Sequence, residues 1–210
     1  MYYDPRKKNH NLPHDPFTAL VVPRPIGWIS TIGRSGIVNL APYSFFNAVS
    51  GRPPMVMFSS IERKHSQRNA EETGEFVANL AVYDLREEMN LTSAVVDEDV
   101  SEAELAGLEL VPSVAVKPPR VKRSPVALEC QYVETIHLRS PTGEPFQGCM
   151  IIGQVVGIHI DDSVIVDGYV DIAKMMPVSR LGYMEYTAVD RTFVMMRPDS
   201  TYPQPKKQVG

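Results

Sequence analysis

One stretch constrains the fold more than any other. From Val126 to Leu138 the even positions read Val126, Leu128, Cys130, Tyr132, Glu134, Ile136 and Leu138, while the odd positions are mostly polar. A period of two buries one face and wets the other, the mark of a strand in antiparallel sheet. About nine strand-like segments can be marked along the chain. Ile26–Ile32 and Ile37–Ala41 flank Gly-Arg-Ser-Gly and predict a hairpin. Met55–Ser60 and Glu75–Val82 are short apolar runs. Ile151–Ile160 carries Gly153 and Gly157, which suit sharp coiling at a barrel wall. Val164–Val166 and Tyr169–Ile172 bracket Asp167-Gly168, a strong turn signal, and Phe193–Met196 closes the series.

Helices are fewer. Ser66 is placed to cap a helix ending near Gly74. Asp84 with Glu87 makes a capping box for Leu85–Val96, and Ser101 with Glu104 makes another before one or two turns. Many short strands with a few connecting helices predict a mainly β fold, a small barrel with helical insertions.

Proline divides the chain into parts. There are 18 in 210 residues, above the usual share of about 5%. Pro5, Pro13, Pro16, Pro23 and Pro25 exclude regular helix from residues 1–25, which read as an arm. One domain then spans residues 26–197, and residues 198–210 form a second arm.

Composition narrows the class. The formal net charge of -4 disfavours a nucleic-acid or anionic-membrane binder. No apolar run approaches the roughly 20 residues of a membrane span. The opening MYYDPRKKNHNLPHDP lacks the apolar core of a secretory signal. Cys130 and Cys149 lack metal-ligand spacing and are expected to stay reduced, so a cytoplasmic location follows and the sequon at Asn90–Thr92 is chance.

Familiar catalytic signatures are missing. No G-x-S-x-G, Walker loop, HExxH, CxxC or G-x-G-x-x-G occurs. The five histidines show no i,i+4 pair, so no metal site is expected. The informative block is Pro23–Asn69. Within it, NLAPYSFFNAVS mixes aromatic rings, hydroxyls and Asn47, the wall a planar heteroaromatic ligand needs, though an ordinary packed loop would use the same residues. Ser59-Ser60 ends a strand, and Lys64, Ser66 and Arg68 follow at an expected helix start, where backbone N–H groups favour a phosphate; a Ser66 that only caps, with the charges solvated, is the alternative. PVSRLGYMEY at 177–186 sets Arg180 beside a glycine and two tyrosines, either closing a pocket or turning the chain at a barrel rim. Trp28, the one tryptophan, fits core packing; at a barrel mouth its indole N–H would instead meet a ligand.

Taken in order, PRPIGWIST, NLAPYSFFNAVS, PPMVMFSS, KHSQRN and TGEFVANL, followed by the Asp167-Gly168 hairpin and PVSRLGYMEY, resemble the flavin reductase-like family, the FMN-binding split barrels that include the flavoredoxins. The resemblance runs over roughly residues 17–190. It implies a six-stranded Greek-key split β-barrel of the FMN-binding type, a homodimer, and one FMN per subunit near the dimer interface. The flavin ring is then expected against Ser44, Phe45 and Asn47, with Trp28 and Thr31 flanking, the ribityl-phosphate among Ser59, Ser60, Lys64 and Ser66, and Arg180 nearby. Two positions depart from the family pattern. His65 stands where Lys-Asp-Thr has its acid, and Tyr183 stands where a second glycine often follows Arg-Leu-Gly.

The implied activity is that of an NAD(P)H:flavin oxidoreductase, with NAD(P)H as co-substrate. Hydride passes to FMN, and the reduced flavin serves a partner monooxygenase or another acceptor. The cofactor carries such chemistry, which accounts for the lack of an acid–base pair. The alternative is a flavoredoxin-like electron-transfer protein reduced by a protein partner. A split barrel that oxidises pyridoxine phosphate or binds haem, and a β-barrel dimer without cofactor, are the remaining readings.

Overall fold

A computed structural model describes residues 1–7, 9–97 and 99–196 of the chain. The expected C-terminal arm lies outside the described residues. Seven strands make the main sheet: β1 (Gly27–Ile32), β2 (Val38–Tyr43), β3 (Phe46–Gly51), β4 (Pro54–Ser60), β5 (Glu75–Leu80), β6 (Val126–Arg139) and β7 (Pro145–Ile160). Their order is β2-β1-β5-β6-β7-β4-β3, every neighbouring pair antiparallel. The two edge strands, β2 and β3, are consecutive in the chain and joined by Ser44 and Phe45 alone. The sheet is thereby drawn round on itself into a split barrel, with those two residues at the seam.

Close approaches across the barrel require small residues. A Cβ on Gly27 would lie 2.4 Å from the Phe46 ring, and one on Gly153 would lie 2.4 Å from the Phe76 ring. The interior holds Ile29, Tyr43, Val56, Phe58, Phe76, Cys130, Ile151 and Val155. Phe58 stands edge-on to Phe76, with ring centroids 5.4 Å apart. The β7 ladder shifts register at Ile152/Gly153 and Val155/Gly157, the coiling expected of those glycines.

Helix α1 (His65–Thr73) closes one end of the barrel. Ala70 enters the core, Asn69 donates to Thr31 Oγ1 at 3.1 Å, and Gln67 meets Cys149 Sγ at 2.8 Å. Gly74 ends the helix in the left-handed conformation. Its N-cap is Lys64, not Ser66; Ser66 is the second helical residue and its hydroxyl bonds the Asn39 side chain at 2.8 Å. The helix expected over 85–96 is shorter: a 3-10 turn at Tyr83–Leu85 leads into α2 (Arg86–Leu91), without a side-chain cap. It stops where Thr92 turns its hydroxyl back onto the Met89 carbonyl at 2.8 Å. Helix α3 (Glu102–Leu105) is a single turn, and Ser101 makes no side-chain cap bond. Its Glu102 does other work, accepting from Leu40 N–H at 2.9 Å and so covering the outer edge of β2.

Three expectations are corrected. Phe46–Gly51, taken for loop, is a strand, which raises the sheet from six strands to seven. Phe193–Met196 is not a strand and its side chains are exposed. A separate small sheet instead pairs Arg24–Pro25 with Val178–Arg180 and that strand with Tyr186–Ala188. Within the expected N-terminal arm, Phe17–Leu20 forms one helical turn, and a Cβ on Gly182 would overlap Ala19 at 2.3 Å. These arm residues are therefore docked on the late turn.

The odd face of β6 is also less wet than its alternation implies. Ala127 and Glu129 are fully buried under the segment 113–117. Glu129 accepts N–H bonds from Val114 at 2.8 Å and Ala115 at 2.5 Å and contacts His159 Nε2. Burial pushes this carboxyl up, but the Val114, His159 and Ala115 bonds together outweigh it and hold the group below its ordinary value. A depressed carboxyl stabilises the fold above its unfolded value, near 4.5, and that contribution is lost as pH falls through the folded value. Denaturant unfolding between pH 3 and 6 should accordingly show an acid loss of stability that is shallower in Glu129→Gln. Identical slopes would mean the carboxylate is not what holds the segment.

Candidate functional site

The seam gathers part of the expected constellation. The Phe45 carbonyl accepts from Ser59 N–H at 2.8 Å, tying the β2–β3 connection to the end of β4. Phe46 pairs with Phe58 and Asn47 with Met57 in the β3–β4 ladder. Ser44, Phe45, Asn47, Ser59 and Ser60 thus share one end of this hairpin, and the chain runs on through four residues to Lys64. Phe45 is 40% exposed, unusual for a phenylalanine beside a well-filled core. Asn47 is exposed, its Oδ1 accepting from Ala48 N–H at 2.9 Å. Lys64 is exposed at the start of α1.

The hydroxyls behind this wall are largely engaged. Ser59 Oγ donates to the Cys149 carbonyl at 2.8 Å, and Ser60 Oγ donates to the Glu62 carbonyl. Ser60 and Ser66 are buried. Of the four side chains expected around a phosphate, Lys64 is the one fully presented at the surface. Thr31 is buried against Asn69 beneath α1.

Trp28 lies elsewhere. It is fully buried in a second core, outside the barrel, with Leu40, Leu85, Met89 and Val178. Its Nε1–H donates to Thr92 Oγ1 at 2.8 Å, leaving the indole no free polar edge. Of the two readings of this residue, the structure places it with the core.

Sequence reasoning missed Arg24. Pro23 and Pro25 marked its surroundings as arm, but the guanidinium is 8% exposed. Its Nη1 donates to the carbonyls of Thr18 and Val21, the latter at 2.7 Å, and Nη2 to Leu181 O at 2.7 Å. Its Nε has no partner. The guanidinium carbon stands 5.7 Å from the Phe45 ring centroid, within cation–π range. An arginine flanked by prolines just before a strand was the available signal, since Lys/Arg in such a place is seldom buried without a role.

Arg180 is the cross-strand partner of Arg24. It donates to Tyr186 Oη and the Tyr183 carbonyl, and its guanidinium lies over the Tyr186 ring at 4.4 Å. It also lines a recess of about 360 Å³ with Tyr83, Arg86, Met89, Met184 and Tyr186. Tyr183, where a glycine was anticipated, sits at φ +55°, a left-handed conformation strained for its type. A second, more polar recess of about 270 Å³ lies beside α1 among Arg34, Asn39, His65, Arg68 and Glu72. Both cysteines are buried and unpaired; burial pushes the Cys130 thiol up to about 12, so neither serves as a thiolate nucleophile.

Comparison with known proteins identifies the class. The model of the flavin reductase like domain matches residues 19–176, and the chain belongs to that family. A protein of Halalkalibacterium halodurans without an assigned activity is 35% identical over 198 residues, covering 92% of each chain. Among solved structures, component B of nitrilotriacetate monooxygenase from Bacillus cereus is similar with a TM-score of 0.85 at 29% identity, covering 93% of this chain and 98% of that one. Flavoredoxin of Desulfovibrio vulgaris shares the fold with a TM-score of 0.74 at 22% identity, over 83% of this chain and 91% of its own. The family supports a flavin as cofactor and an oxidoreductase as the class of protein. The residues at the seam fit such a group: an exposed aromatic side chain at Phe45, an exposed amide at Asn47, an exposed lysine at the start of α1, and a buried Arg24 Nε still lacking an acceptor. No helix among the described residues is long and apolar enough to cross a membrane.

The placement of Trp28 leads to a split outcome. Trp28→Phe removes the indole N–H from Thr92 and leaves a small void. It should lower the unfolding free energy by about 1–3 kcal/mol. Flavin affinity, measured by fluorescence quenching, should stay within about twofold of wild type (0.4 kcal/mol). A tenfold loss of affinity in a variant that keeps its stability would return Trp28 to the ligand wall.

Proposed function

We propose that the protein is an FMN-dependent NAD(P)H:flavin oxidoreductase whose reduced flavin serves a partner oxygenase or another acceptor. The observation that carries this reading is the seam itself: Phe45 and Asn47 are exposed and Ser44 half-buried where the two sheet edges join, in a chain of the flavin reductase-like family. FMN, when bound, supplies hydride acceptance and onward electron donation. The protein's part is to bind and orient. Phe45 offers an apolar face for a planar ring, and the Asn47 amide offers donors at its edge. Lys64, at the N-cap of α1, offers an ammonium to a phosphate. Ser59 and Ser60 act behind this layer, fixing the β4 end and the turn into Glu62 through their bonds to Cys149 O and Glu62 O. Ser66 acts through Asn39, and Thr31 through Asn69. This chemistry requires no acid–base pair of the protein.

A homodimer belongs to the same reading. Val49 on β3, Val133 and Leu138 on β6, and Phe146, Ile158 and Ile160 on β7 are exposed apolar side chains that a second copy could cover. The likeness to a monooxygenase component supports an oxygenase as partner. The likeness in fold to flavoredoxin supports the second reading, a bound-FMN carrier reduced by another protein.

Steady-state oxidation of NADH and NADPH with added FMN separates the two. Multiple turnovers are expected for a reductase; a protein that binds FMN yet oxidises neither nucleotide would be the carrier. Lys64→Ala should weaken FMN binding about tenfold, near 1.4 kcal/mol, while leaving riboflavin, which lacks the phosphate, within twofold of wild type. Equal losses for both ligands would move the phosphate away from Lys64.

A further inference from the structure

Arg24 and Arg180 pose an electrostatic problem. They are direct partners across a strand pair, where like charges repel. Among the described residues neither forms a salt bridge with a carboxylate. The Arg24 guanidinium is nine-tenths buried, and the groups it does meet are backbone carbonyls. Carbonyl dipoles satisfy its hydrogen bonds but bring no counter-charge. Burial, and then the neighbouring Arg180, both act against its charged form. A buried cation without a paired anion is costly, and such an arrangement persists when something else is served by it.

Its surroundings say what is served. Arg24 stands 5.7 Å from the centroid of the exposed Phe45 ring, and its cross-strand partner Arg180 lines the apolar recess. The unpartnered Arg24 Nε is a donor still lacking its acceptor. A hydride carries two electrons and one proton. A neutral ring that accepts one from a nicotinamide donor therefore gains one net negative charge, and the donor leaves as the oxidised nicotinamide.

We propose that Arg24 and Arg180 are a positioning pair of cations that stabilise the negative charge gained by an isoalloxazine bound against Phe45, and so raise its reduction potential. The inference rests on the flavin reading given above. It assigns a tuning role to Arg24, buried by the N-terminal segment, and explains why that segment is latched to the late turn: Arg24 binds Leu181 O, Ala19 packs on Gly182, and His14 tilts against Tyr183 with ring centroids 5.8 Å apart. Docking the arm is what keeps the two charges together.

The test uses the full-length protein loaded with FMN, wild type beside Arg180→Gln and Arg180→Lys, because Arg180 is partly exposed and its loss should not unfold the chain. Affinities for oxidised and for dithionite-reduced FMN are measured anaerobically, with the midpoint potential taken from a dye-coupled titration. Arg180→Gln should weaken binding of reduced FMN about tenfold more than that of oxidised FMN, which for a two-electron couple lowers the potential by about 30 mV. Arg180→Lys should restore most of that difference. Equal weakening of both redox forms, or an unmoved potential, overturns the proposal while leaving the flavin reading intact. If wild type binds no FMN, the flavin reading fails and the proposal with it. The positive charge could instead meet the phosphates of the nucleotide donor. If Arg180→Gln weakens binding of oxidised NAD(P) but leaves the flavin potential unchanged, the pair serves the donor and the proposal is overturned.

Discussion

Phe46 occupies the space that Gly27 leaves empty, and the architecture of the site follows from that contact. The Phe46 ring would overlap any side chain at position 27. Because it fits, the second edge of a seven-stranded sheet can meet the first, and the barrel closes through a two-residue link. A link this short cannot be buried on both sides. Phe45 is exposed between Ser44 and Phe46, whose ring packs over Gly27, and Ser59 N–H fixes its carbonyl. The exposed aromatic side chain is thus a consequence of closing the sheet and needs no separate structural element.

Much of this was legible in the residues. The alternation of β6, the Gly-Arg-Ser-Gly hairpin with Gly36 at φ +86°, and the Asp167-Gly168 turn with both residues at positive φ all appear where local chemistry put them. The glycines of β7 fall at its register shifts. Local chemistry failed where tertiary contacts decide. NLAPYSFFNAVS has no period of two, because β3 gains its strand character from pairing with β4 at the seam. Ser66 has the residue type of an N-cap, but the chain enters α1 two residues earlier, at Lys64, and the Ser66 hydroxyl bonds the Asn39 side chain. Leu85–Val96 has helical composition throughout, yet Thr92 folds back to meet both Met89 and the buried indole of Trp28. Glu129 sits on the polar face of its strand, and only the crossing of 113–117 over that face buries it.

The site was legible in outline and less so in its layers. Residue type brought together hydroxyls, an amide and cations, and the structure divides them. Phe45, Asn47 and Lys64 stand at the surface. Ser59, Ser60, Ser66 and Thr31 form a hydrogen-bonded layer behind them, and Trp28 belongs to another core. Arg24 escaped notice because prolines on either side suggest mobile chain, whereas here they flank a short strand whose arginine is enclosed. The family relationship and the geometry meet at one point: a barrel whose seam exposes Phe45, within cation–π range of the buried Arg24.

A crystal structure of the protein with FMN is the most direct measurement of whether that seam is the flavin site. The account predicts the isoalloxazine lying on the Phe45 side of the Ser44–Asn47 turn, with its phosphate toward Lys64. A flavin bound with its ring in the polar recess beside α1, or with its phosphate among the late-turn residues 180–186, would contradict it.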